Sequence, residues 1–349
     1  MPRGGDVPFR PMSISEMLDG AIAGIRHSPR AVLGMSVAIS TVVQVIGSVV
    51  SYYFIGREAR GEVTPRVLLR SVGAQATLGG IDLVLTAFGI LVLAGFLAPV
   101  LARMMFGLNI SLRQAWLDVR ARFGRLLLVT TLLIVVALAT LALPVLPFAM
   151  AVAGTAPPTF GVLSLIGFPV GVTLMLWAYV TLVQSIPALI MERQGIRGAL
   201  ARARRLSKER WWRTLGTLLL AMLITVFMGF FALRIPFLVA QALLFGGSGS
   251  GSDQVFPALA LDTVGRIVSW SVVLPFDAGV IALLYMDRRM RREGFDIDLA
   301  TRPAPDGDDD FFELWRPSAP SGRAPAAGPV TYAPPVAPAP GATYGQGAP

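Results

Sequence analysis

The chain has 349 residues, 54% of them hydrophobic and only 15% charged, with a formal net charge of +9. A soluble domain carries about 25% charged residues, so this composition, with a mean hydropathy of +0.66, excludes an ordinary soluble globular protein and points to a membrane protein. With no cysteine in the chain, disulfides, thiol nucleophiles and cysteine-based metal sites are excluded too.

A helix crosses roughly 30 Å of hydrocarbon with about 20 apolar residues. The first candidate element, SISEMLDGAIAGIRHSPR (13–30), precedes any such run. Ile14, Met17, Leu18, Ala21, Ile22 and Ile25 share one helical face there, and Ser13 with Glu16 fits a capping box. Span 1 follows in the charge-free run Ala31–Ile55. That run is too long for the h-region of a signal peptide, and no small-residue cleavage site follows it. Thr64 and Pro65 read as an N-cap and first helical position, which predicts a short surface helix over 65–76. Span 2 occupies Leu83–Leu101.

The pattern then recurs. SLRQAWLDVRARFGR (111–125) places Leu112, Ala115, Trp116, Val119 and Phe123 on one face, with Ser111 and Gln114 as a second capping pair. No charge appears from Leu126 to Met191. Pro144, Pro147 and the stretch GTAPPTFG (154–161) break this run, giving spans 3 and 4 near 126–149 and 161–188. A third basic segment, GIRGALARARRLSKERWWR (195–213), aligns Ile196, Ala199, Leu200, Ala203 and Leu206. Its arginines face phosphates and water and its apolar side the acyl boundary. Trp116, Trp211 and Trp212 are the expected interfacial anchors. Span 5 lies in Thr214–Leu233, GGSGSGSD (246–253) reads as a flexible loop, and span 6 lies in Ile267–Met286 with Asp277 inside it.

The expected fold class is therefore an all-α integral membrane protein. Six transmembrane helices form three repeats of an amphipathic surface helix plus a helix pair. A polytopic membrane domain, 1–300, precedes a disordered Pro/Ala/Gly-rich tail, 301–349. A pseudo-three-fold arrangement could enclose a central cavity. Arginines concentrate before spans 1, 3 and 5 and after span 6, which places both termini in the cytoplasm; Arg57, Arg60, Arg66 and Arg70, on the other side, depart from that rule. Arg30, Arg120, Arg122, Arg125, Arg202, Arg204, Arg205, Lys208 and Arg213 form the expected basic collar. It either only sets topology or binds an anionic lipid or a partner. The pI near 10.8 does not imply nucleic acid, because no nucleic-acid-binding motif is present.

Three segments resemble a known family: RPMSISEMLDGAI near the start, IPALIMERQGIRGALARARRLSKERWWRTLG after span 4 and LLYMDRRMRREGFD after span 6. Over roughly residues 8–298 the chain resembles the membrane domain named after glycerophosphoryl diester phosphodiesterases, in its free-standing form from high-GC Gram-positive bacteria. The resemblance implies a bacterial plasma-membrane location. It does not carry over the hydrolase activity, because that chemistry needs histidines and a carboxylate metal cluster, and His27 is the single histidine.

Other chemistry is sparse. HExxH is absent, and the sole lysine, Lys208, lies outside any P-loop. GGSGSGSD does not match G-x-S-x-G. No enzyme and no cofactor are expected. Asp277, beside Pro275, is a carboxylate at bilayer depth, which is costly and faces a partner or cavity. Arg234 is its candidate partner and Asp82 a second intramembrane or interfacial acid. The choice between a structural pair, a protonated acid and a solute path stays open. Gln44 and Gln184 read as helix–helix glue, and Gly167 with Gly171 fits G-x-x-x-G. In the tail, DGDDDFFELW (306–315) reads as a solubilising patch, a docking motif for a protein partner, or a segment whose acids fold back onto the basic collar. The expected function is a lipid-associated, accessory or scaffolding membrane protein. The alternative is a transporter of a lipid or small solute using a cavity near Asp277.

Overall fold

The computed structural model describes residues 10–58, 65–108, 110–152, 155, 157, 159–208, 210–245, 255–295, 297 and 308–316. Among them the chain is helical, with no strand. Helices α1 (Ile14–His27), α2 (Pro29–Glu58), α3 (Pro65–Met105), α4 (Leu112–Arg120), α5 (Phe123–Val152) and α6 (Thr159–Leu182) are followed by α7 (Ser185–Met191), α8 (Ile196–Ser207) and α9 (Trp211–Val226). A π-helical segment, Phe227–Arg234, runs on into α10 (Ile235–Phe245), and α11 (Val255–Glu293) and α12 (Asp308–Leu314) complete the order. Six stretches are long and apolar enough to cross a membrane: Pro29–Tyr53, Thr77–Met105, Phe123–Leu143, Ile166–Met191, Trp211–Leu244 and Pro257–Glu293.

Local sequence explains the helix starts. Ser13 caps α1, its hydroxyl accepting from Glu16 N while the Glu16 carboxylate accepts from Ser13 N at 2.7 Å. Ser111 caps α4 in the same way, but Gln114 turns its amide to Asp118 at 3.4 Å instead of closing a box. Gly195 starts α8 with no side-chain cap.

Four boundaries differ from expectation. The helix at Pro65 does not stop at 76 but continues to Met105 as one 41-residue helix. Helix α5 passes Pro144 and Pro147 and ends at Val152. Proline is tolerated inside membrane-type helices where freed carbonyls find other donors. Span 4 breaks instead at Val183–Gln184, between α6 and α7, because Pro187 lacks an N–H and crowds the carbonyl four residues back. Span 5 holds a π-helical stretch of eight residues. The 246–253 loop lies outside the described residues, as does the expected disordered tail apart from 308–316.

Helix α11 is the hub, packed against α1, α2, α3, α9 and the π-helical segment. With α3 and α7 it fills the middle of the bundle, where Leu93, Leu97, Leu101, Ile186, Leu189, Val280 and Leu283 are buried. The centre is thus a packed core and not the expected cavity, since branched side chains from three helices interdigitate there. Each amphipathic helix packs against protein, α1 on α11, α4 on α3 and α2, and α8 on α7 and α6, while Ile22, Leu112 and Trp116 of their apolar faces stay exposed. Helices α2 and α11 run antiparallel, joined by a polar ladder spaced four residues apart. Ser36 Oγ donates to Ser271 O at 2.7 Å, Ser40 meets Ser271 at 2.8 Å, Gln44 accepts from Arg266 Nε at 2.7 Å, and Ser48 meets Thr263 at 2.7 Å. The α5–α6 hairpin packs chiefly on itself and exposes Leu128, Val135, Val162 and Phe168.

Candidate functional site

Polar groups concentrate at the two ends of the bundle. At the end away from the basic segments, α2, α3, α10 and α11 surround a cavity of about 560 Å³ lined by Gly47, Ser51, Gly79, Asp82, Arg234, Gln241, Asp262 and Arg266 among others. Two ion pairs stand in it. Arg266 pairs with Asp82 while its Nε donates to Gln44, and Arg234 pairs with Asp262 and also donates to the Asp262 carbonyl at 3.2 Å.

This corrects the expected pairing of Arg234 with Asp277. Span 5 and span 6 are antiparallel in a fixed register: Thr214 meets Arg288, Gly229 meets Val273, Phe237 meets Gly265, and Gln241 meets Ala258. This register sets Asp277 opposite Thr225, and the Arg234 side chain reaches along the hairpin to Asp262 instead. Asp277 lies 15 residues further along α11, ~22 Å away at 1.5 Å per residue. There it is half-buried, within electrostatic reach of Thr225 and Tyr179. The candidate polar residues thus separate, with Asp82 and Arg234 in one cavity and Asp277 outside it. Gln44 is helix–helix glue, as read. Gln184, at the α6–α7 break, is buried with no hydrogen-bond partner.

The basic end divides into an outer ring and a buried ionic centre. Arg30, Arg120, Arg125, Arg204, Arg205 and Lys208 are exposed, and Trp116 and Trp212 lie exposed with them. Three expected collar members turn inward. Arg202 donates to Glu192 at 2.8 Å and pairs with Glu293. Burial works against its charge, but the Glu293 hydrogen bond and the Glu192 charge outweigh it and raise its pKa above the ordinary value. Arg213 donates to the Met12 carbonyl at 2.7 Å. Arg122 is half-buried, its pKa lowered by that burial and by Arg125, Arg193 and Arg316. Trp211 is also half-buried.

The centre is built around Glu192, whose side chain is 0% exposed. Besides Arg202 it accepts from Tyr285 Oη and Gln194 Nε2, each at 2.7 Å, and Arg289 lies 3.7 Å away. Asp287, also fully buried, accepts from Met12 N at 2.9 Å and from Arg291. Sequence reasoning missed this centre because its members come from four separate elements.

The tail segment is docked against this end. Phe311, Phe312, Leu314 and Trp315 are buried. The Arg103 guanidinium lies 4.6 Å from the Phe311 ring centre, Arg193 lies 4.3 Å from Phe312, and Arg289 Nη1 donates to the Trp315 carbonyl at 2.7 Å. Residues 308–316 fold back onto the basic end, but against Arg103, Arg193 and Arg289 and not against the expected collar arginines. The aromatics make the contacts, while Glu313 is exposed and pairs with Arg316.

Fold and site together define an all-helical, multi-pass membrane protein with charged groups at both ends. No family model, no curated protein and no solved structure matches this chain.

Proposed function

We propose that this chain is a bacterial plasma-membrane protein without catalytic machinery, a lipid-associated accessory or scaffolding protein with both termini in the cytoplasm. One observation carries the reading. Among the described side chains the unpaired exposed cations ring one end, at Arg30, Arg120, Arg125, Arg204, Arg205 and Lys208, whereas Arg234 and Arg266 at the other end are held by acids. Free positive charge on one side is the mark of the cytoplasmic face, and each such residue adds about 1 kcal/mol of attraction to an anionic leaflet.

Two finer readings belong with it. The chain is three copies of one unit, an amphipathic helix and two spans. What supports this is that α4 and α8 each pack on the last span of the unit before, and α1 packs on α11, the last span of the third. The family reading is supported by contacts of its first two segments with the third: Met12 N donates to Asp287, and Glu192 accepts from Tyr285. The scaffolding form of the function uses residues 306–315 as the partner-binding piece once released from the basic end. Transport of a lipid or small solute is the second reading, with the path at the Asp82–Arg234 cavity.

The test uses the absence of native cysteine. Lys208→Cys and Thr155→Cys are labelled in intact cells with a membrane-impermeant maleimide. Thr155→Cys reacts in intact cells and Lys208→Cys only after lysis; the reverse pattern overturns the orientation and with it the collar reading. In mild detergent, changing Arg120, Arg125, Arg204 and Arg205 to Gln lowers co-purifying anionic lipid several-fold. An unchanged lipid profile removes lipid association through the collar.

A further inference from the structure

The cavity at the end opposite the collar has a definite depth. Trp212, highly exposed at 78%, is placed to sit at the headgroup level of the basic side. Arg234 lies 22 residues further along span 5, Arg266 lies 22 residues before Arg288 on α11, and Asp82 lies 21 residues before Arg103 on α3. At about 1.5 Å per residue each separation is roughly 30 Å, the thickness of the hydrocarbon core. All three polar groups therefore stand at the headgroup level of the opposite leaflet.

Its chemistry is mixed in a particular way. Two guanidinium groups and two carboxylates hold one another, so the site is charge-balanced. None of the four is sealed: their side chains are 15%, 17%, 18% and 33% exposed for Arg234, Asp262, Arg266 and Asp82. Beneath them Gln44, 1% exposed, gives its carbonyl to Arg266 and leaves its amide nitrogen with no acceptor. Apart from Gln241, the remaining wall is apolar or small, with Val50, Leu78, Ile81 and Leu259 beside Gly47 and Gly79. A purely anionic ligand would have to displace both acids. A ligand bearing one phosphate and one ammonium satisfies both signs at once: guanidinium groups take phosphate oxygens bidentately, and a primary ammonium has three N–H donors for carboxylates. The aliphatic wall suits an acyl chain.

We propose that this cleft binds the headgroup of a zwitterionic phospholipid with a primary ammonium from the opposite leaflet, its phosphate on Arg234 and Arg266 and its ammonium on Asp82 and Asp262. The proposal is independent of the collar, which lies at the other end of the bundle.

The test is native mass spectrometry of the full chain in mild detergent, titrated with phosphatidylethanolamine, phosphatidylcholine and phosphatidylglycerol. One phosphatidylethanolamine binds per chain, at least about tenfold more tightly than the other two, the worth of one charge-assisted hydrogen bond. Asp82→Asn removes that preference, and Arg266→Gln weakens the binding of all three lipids. Because Arg266 also supports Gln44, a further variant fills the cleft without touching the charges. Gly79 lines the cleft, and a Cβ added there meets nothing within 4 Å, so Gly79→Leu adds bulk at the cleft without a clash at the Cβ. It too lowers phosphatidylethanolamine binding by at least about tenfold, whereas Arg204→Gln with Arg205→Gln does not. Equal binding of the three lipids, or full binding by Gly79→Leu, overturns the proposal. Soluble glycerophosphoethanolamine is the competitor for the source of the headgroup. Weak competition supports a membrane lipid, and competition at the lipid's own concentration overturns the lipid in favour of a soluble phosphodiester.

Discussion

Glu192 shows how a single side chain organises one end of the molecule. Its carboxylate is out of water and takes hydrogen bonds from Arg202, Gln194 and Tyr285. A buried ion pair adds little over apolar packing, but removing one partner strands the other at a cost of about 3–5 kcal/mol. Glu192→Ala therefore lowers the midpoint of thermal unfolding in detergent, followed by tryptophan fluorescence, and Glu192→Gln recovers part of the loss by keeping the Tyr285 hydrogen bond; an unchanged midpoint in Glu192→Ala refutes this. Glu16 is a second case, at the surface. Hydrogen bonds from Ser13 and then the nearby Arg10 hold its pKa below the ordinary carboxylate value. A depressed folded-state pKa means stabilisation that is present above the unfolded value and lost as pH falls through the folded one. Acidification through the lower carboxylate range thus frays the first turn of α1. Hydrogen exchange at the Ser13 and Glu16 amides, corrected for the intrinsic rate, accelerates there and nowhere near neutrality.

At the scale of elements, the α9–α11 hairpin carries most of the geometry. Its π-helical segment ends at Arg234, and such segments are frequent where function needs a side chain re-aimed. Gly265 of α11 lies against Phe237 of α10, where a side-chain carbon at Gly265 would lie 2.6 Å from Phe237 Cγ. Gly265→Ala forces the root of that ring aside, an overpacking change that costs about 1–3 kcal/mol. Because Asp262 and Arg266 flank Gly265, this variant also weakens the Arg234 and Asp82 ion pairs. A lowered unfolding midpoint together with reduced phosphatidylethanolamine binding is the expected result, and a midpoint equal to the parent's contradicts the close approach.

For the molecule as a whole, both ends of the described chain are latched to the basic end of α11. Asp287 and Arg291 hold Met12, and Arg289 holds Trp315. The tail latch uses two further arginines over phenylalanine rings, interactions worth about 0.5–2 kcal/mol each. Phe311→Ala with Phe312→Ala removes both ring contacts. Amides 308–316 then exchange at rates near those of an unfolded peptide while the core of α3 and α11 keeps its protection. Retained protection at 308–316 would show that the Trp315 contacts hold the segment without the phenylalanines.

The sequence by itself determined the six apolar spans, the three amphipathic helices and the Ser13–Glu16 cap. These follow from periodicity and composition within one element, which is local information. The spacing of Ser36, Ser40, Gln44 and Ser48 was equally local and marks the face that α2 turns to α11. Pro187 was the overlooked signal for the break in span 4. An antiparallel register counted back from the loop after span 5 would have set Arg234 near Arg266, one turn from Asp262 and about three turns from Asp277. Only the tertiary structure decided which arginines are free and which are spent on acids. Arg202 and Arg204 look alike in sequence, yet one is held by Glu192 and Glu293 and the other is exposed. Likewise only packing decided that the tail's aromatics, not its acids, meet the basic end. Pairing across elements depends on which faces meet, and that is set by the burial of all the apolar surfaces together, not by any one segment.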